Sequence, residues 1–93
     1  MTDDELREAA ARALGWDQRL PNPLPVIDWI TAGALLERCA ERGAYVEIDT
    51  EQNYVAREPL EGEETEYGVV HLRPLTARFV IEACVLALGS GEA

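Results

Sequence analysis

The segment from Phe79 to Leu88 constrains the fold more than any other part of the chain. It reads Phe-Val-Ile-Glu-Ala-Cys-Val-Leu-Ala-Leu, and Glu82 alone interrupts the apolar residues. Pro74 marks the start of a helix, with Thr76 as another possible cap, and Gly89-Ser90-Gly91 ends it. A helix apolar on nearly every side must be covered on nearly every side. In a chain of 93 residues a single sheet does not supply that cover. Either the preceding helix packs beside it or a second subunit does, and Phe79, Val80 and Val85 are the residues expected at a homodimer interface. The run is too short to span a bilayer, so no membrane association is expected.

The remaining elements follow from capping and periodicity. Thr2 and Glu5 have the spacing of a capping box, and Asp3 and Asp4 suit the positive end of a helix dipole. Leu6, Ala10, Ala13 and Leu14 then recur at helical spacing, which predicts a peripheral helix over 3–14 with a narrow alanine-rich face. Gly15 is a left-handed stop, and Trp16 is placed to fold back on the last turn. Pro21, Pro23 and Pro25 forbid helix and predict a stiff connector, which Trp16 and Trp29 are expected to pin to the core. Asp28 or Thr31 caps a second helix, whose apolar face is Ala32, Leu35, Leu36, Cys39 and Ala40 and which ends at Gly43.

Residues 44–49 alternate, with Ala44, Val46 and Ile48 on one side, as a half-buried strand requires. A polar turn leads to a second strand over 54–57, and a loop over 58–66 leads to a third over 67–72. The fold class expected is α+β: an N-terminal helix, then α-β-β-β-α, with the helices packed on a three-stranded antiparallel sheet. One domain spans 1–93, with the peripheral helix and connector over 1–27 and the core over 28–90. An N-terminal helix laid on the far face of the sheet would make three layers.

Charge narrows the function. Asp and Glu number 18 against 8 basic residues, all of them Arg, so the formal charge is −10. Proteins that grip DNA or RNA do so with Arg and Lys on phosphates, so no direct nucleic-acid contact is expected. An anionic membrane surface would repel the chain as well. Cys39 and Cys84 lie in apolar helical stretches, where free cysteine acts as a small hydrophobe, and with the acidic N-terminus they point to the cytoplasm. His71 is the sole histidine, no zinc-ligand spacing is present, and the glycines match no phosphate-binding fingerprint. The stretch Glu61–Glu66 lacks the spaced Asp and Asn oxygens of a calcium loop. No catalytic residue, metal or cofactor is therefore assigned. A Cys–His nucleophile is disfavoured because both cysteines sit on faces that should be buried.

The loop offers the most specific signal. Glu58, Glu61, Glu63, Glu64 and Glu66 place five carboxylates on nine residues, with Tyr67 beside them. Such an array imitates the phosphates of a nucleic acid, and a basic channel would attract it over a Debye length of about 8 Å. The expected partner is a protein with a basic surface. Two alternatives remain: a sponge that sequesters a nucleotide signal between subunits, with Arg57, Arg73 and Arg78 as the available candidates, and a structural or regulatory accessory protein.

A family resemblance bears on the source of such a protein. Leu14-Gly15-Trp16, Asp28-Trp29-Ile30-Thr31-Ala32 opening a helix, Glu41-Arg42-Gly43 before a strand, and Leu75-Thr76-Ala77-Arg78 opening an alanine-rich last helix resemble the phage ABA sandwich domain family. The resemblance implies a small phage or prophage protein with helices packed on a sheet, working in the cytoplasm of an infected bacterium. It implies no activity and transfers no site residue. With the acidic loop it suggests an inhibitor of a host nucleic-acid-handling defence complex, in the manner of an anti-CRISPR protein, and it makes the last alternative a structural or regulatory phage accessory protein. The stretch Thr50 to Glu66 departs from the family pattern in length and acidity.

Overall fold

A computed structural model of the chain describes residues 1–16, 24–65 and 67–90. The elements are α1 (Asp3–Ala13), α2 (Trp29–Arg42), β1 (Val46–Asp49), β2 (Tyr54–Arg57), β3 (Val70–Leu72) and α3 (Ala77–Ser90). The strands form one antiparallel sheet in the order β1-β2-β3, with Ile48 opposite Val55 and Val55 opposite Leu72. The fold is α+β with the α-β-β-β-α order expected.

The apolar helix α3 explains the architecture. One side of it meets β1 and β2, and it also packs against both α1 and α2. Val80, Ile81, Ala83, Cys84 and Leu88 are buried there with Leu6, Ala10, Ala32, Leu35, Cys39 and Val55. The cover that α3 demands thus comes from within the chain. The N-terminal helix does not lie on the far face of the sheet, as a three-layer reading had it. Its alanine-rich face, with Ala9, Ala10 and Ala11 buried, lets it approach α3 closely instead. Val80 is 0% exposed in the single chain, so it has no side-chain surface left for a second subunit. That removes it from the expected dimer interface, while Phe79 and Val85 are half-buried against the core.

Local chemistry sets each helix end. The Thr2 hydroxyl accepts the Glu5 N–H, and the Glu5 carboxylate accepts the Thr2 N–H, completing the capping box. The Asp28 carboxylate accepts the Thr31 N–H at 2.9 Å, so Asp28 and not Thr31 caps α2. Thr76 caps α3 by accepting the Phe79 N–H at 3.2 Å. Gly43 closes α2 with φ 69°, a conformation that glycine adopts without steric cost. Gly89 lies inside α3 rather than ending it.

Several arginines donate to backbone carbonyls, and most of these bonds fasten one element to another. Arg7 holds the connector through the carbonyls of Pro25 (2.9 Å) and Leu24 (3.3 Å). Arg38 on α2 reaches the C-terminal end of α1 at the Ala13 carbonyl, 3.3 Å away. Arg57 reaches the Glu58 carbonyl, Arg73 that of Gln52, and Arg78 that of Met1. Arg78 also pairs with Asp3, which ties the start of α3 to the start of α1. Among the described residues Arg7 holds the end of the connector at Leu24 and Pro25, while Trp16 and Trp29 are both exposed. Pro21 and Pro23 lie outside the described residues.

Candidate functional site

β2 ends on an unusual residue. Strand alternation puts Arg57 on the same face as Val55, the face that α3 covers, where an apolar side chain is the rule. The Arg57 side chain is only 7% exposed. Its Nη1 donates to Glu63 Oε1 at 2.8 Å and its Nη2 to Glu63 Oε2 at 3.1 Å, a bidentate pair. The planar guanidinium fork matches a carboxylate in a way that a lysine ammonium does not. Its Nε is buried without a hydrogen-bond partner among the described residues.

The same carboxylate closes the loop. Glu63 Oε1 accepts the Leu60 N–H at 2.6 Å, and the Leu60 carbonyl accepts the Glu63 N–H at 3.0 Å. Between them Gly62 turns the chain at φ 87°. Hydrogen bonds from Arg57, and then from the Leu60 N–H, push the Glu63 carboxyl down to about 2. Glu63 is thus the loop's internal anchor rather than a free recognition group. This corrects its place in the expected contact set, because its carboxylate is already committed.

The anchor leaves Glu58, Glu61 and Glu64 exposed on the loop. Tyr67 follows at 77% exposed, just before Gly68 at φ 75°. Glu66 lies outside the described residues. The carboxylates continue onto the open face of the sheet. There the register aligns Glu47, Ala56 and His71 in one row and sets Asp49 beside Tyr54 in the next. The Tyr45 hydroxyl donates to Glu47 at 2.7 Å, and that bond raises the tyrosine's pKa. Tyr54 meets His71 edge-on at 4.7 Å between ring centroids, and the Arg73 guanidinium lies 5.2 Å from the Tyr54 ring centroid.

The catalytic and ligand-binding alternatives do not come together. His71 is exposed on the open sheet face, whereas Cys39 and Cys84 are buried on the other side. The Cys39 thiol points at the Cys84 carbonyl, 3.9 Å away. The hydrogen bond to Cys39, and then burial, hold the Cys84 thiol up, which suits a neutral core filler and not a nucleophile. Arg57, Arg73 and Arg78 are separately engaged, with Glu63, the Tyr54 ring and Asp3. Arg57 and Arg73 also sit toward opposite ends of β2, so the three do not converge on a pocket within one chain. No group of three or more His, Cys, Asp or Glu suited to a metal ion occurs among the described residues.

A second surface was not foreseen. Leu14, Trp16, Leu24, Val26, Ile30 and Ala34 line a groove of about 390 Å³ between α1, the connector and the start of α2. Ile30 at its rim is 84% exposed, Val26 60%, Trp29 55% and Trp16 42%. The signal was present in the sequence. Ile30 stands two residues before Ala32 and so lies off the Ala32-Leu35-Cys39 stripe, on the far side of α2 from its burial.

No helix of the structure is long and apolar enough to cross a membrane among the described residues. The sequence matches no family model, and no curated protein or solved structure shows significant similarity to it.

Proposed function

We propose that this chain is a non-enzymatic binding protein that presents Glu58, Glu61 and Glu64, with Tyr67, to a basic protein surface. One observation carries the reading: the buried Arg57 grips Glu63 in two hydrogen bonds, and Glu63 in turn holds Leu60. A loop of carboxylates that merely kept the chain soluble would need no such anchor. An anchored loop loses less conformational freedom on association, so more of its electrostatic attraction survives as affinity. The carboxylates of the open sheet face extend the same negative field. The partner class in view is a host nucleic-acid-handling defence complex, whose basic channel evolved for phosphates. A phage or prophage source rests on the sequence resemblance alone.

The test compares the wild type with a Glu58→Gln, Glu61→Gln, Glu64→Gln variant as bait in bacterial lysate, read by quantitative mass spectrometry at two salt concentrations. A nucleic-acid-handling complex should be retained by the wild type, released by salt and lost with the variant. Retention of the same proteins by both baits would refute the acidic loop as the contact.

A further inference from the structure

We propose that two copies of this chain associate through the groove between α1 and α2, with Ile30 of each copy seated in the groove of the other. The inference does not depend on the acidic loop. Val26, Ile30 and Trp16 together leave on the order of 300 Å² of apolar side chain uncovered, within the range of the largest patch on an ordinary monomer. A standard interface needs about 800 Å² per partner, so the patch would form its apolar centre and the surrounding polar residues its rim.

Charge identifies the occupant. Two molecules of charge −10 repel, and facing their acidic loops or sheet faces would set carboxylate against carboxylate. The groove is the exception. Its charged lining residues are Arg7 and Asp28, one of each sign. Both are already turned inward, Arg7 to the Pro25 and Leu24 carbonyls and Asp28 to the Thr31 N–H. The next turn of α2 adds Glu37 and Arg38, again one of each. A basic partner would find little to attract it here, whereas a second acidic chain meets least resistance. Shape agrees with this choice. The patch holds a projecting Ile30 beside a recess, so a two-fold axis through it would pair projection with recess twice.

Sedimentation velocity from about 1 to about 300 µM tests the proposal, with a dissociation constant expected in the tens of micromolar. The mass should rise from 10.3 kDa toward twice that value. Added salt should strengthen the dimer by screening the repulsion, the reverse of its effect on an acidic loop bound to a basic partner. Trp16 lines the groove, so its emission should shift to the blue as the dimer forms. Ile30→Glu, at a position that contributes little to the fold, should abolish both changes and leave the thermal unfolding of the monomer intact. A wild type that stays at 10.3 kDa throughout would overturn the proposal and leave the groove to a different protein. A dimer that survives Ile30→Glu would overturn it by placing the interface elsewhere.

Discussion

The Arg57–Glu63 pair makes an asymmetric prediction. Arg57 is 7% exposed at its side chain and Glu63 36%, so one partner is inside and the other at the boundary. Removing Arg57 by Arg57→Met keeps most of its apolar stem and leaves a carboxylate that turns to water. The expected loss is about 1–2 kcal/mol, the worth of charge-assisted hydrogen bonds exchanged for hydration. Removing the carboxylate by Glu63→Leu instead strands a guanidinium that cannot lose its proton. Stranding the buried Arg57 cation should cost more than removing it, because a guanidinium only 7% exposed is left without its counter-charge. In the double variant the cation is gone, so its loss should fall well short of the sum of the two. Urea unfolding of the four proteins closes the cycle. Equal losses for the single variants, or strict additivity in the double, would refute the claim that the pair is a buried anchor.

Two further outcomes are expected. The Glu63 carboxyl is lowered from its usual 4.5 to about 2 in the folded chain, so its share of stability is fully present above pH 4.5. That share is lost as pH falls from there toward 2, and a urea midpoint measured against pH should lose this component in Arg57→Met. Asp28→Ala removes the N-cap of α2 and should destabilise the fold by about 1 kcal/mol, read as a lower thermal midpoint, with Asp28→Asn retaining most of it.

Local chemistry was the legible part of the sequence. The capping box of α1, the Gly43 stop and the alternation of Val46 and Ile48 each depend on residues close together in the chain, and each stands where periodicity placed it. The strands came out shorter than alternation suggested at β1 and β3, because pairing with the four-residue β2 limits the ladder at both edges. The partners of α3 were not legible. An apolar helix announces that it needs cover but not which element supplies it, and a face of alanines gives no hint of how closely it packs. The acidic loop was visible as composition, but its anchor was not. That required Arg57 to be placed on the covered face of β2 and Glu63 to return to it across a turn. The tryptophans misled because a large aromatic is usually buried, whereas Trp16 borders the neutral groove and Trp29 is exposed at the start of α2.

The arginine clamps have a consequence for how this sequence can change. The two signs of charge live under different rules. Glu58, Glu61 and Glu64 carry no architectural duty that the structure records, so their number can drift while the fold endures. Arg7, Arg38, Arg73 and Arg78 each bridge to main chain elsewhere and Arg57 grips the Glu63 carboxylate, and a lysine offers one compact head where a flat fork is wanted. Descendants of this chain should vary freely in acidity yet keep their guanidinium positions. An engineered version of much higher isoelectric point should be reached by deleting carboxylates, with every arginine left in place.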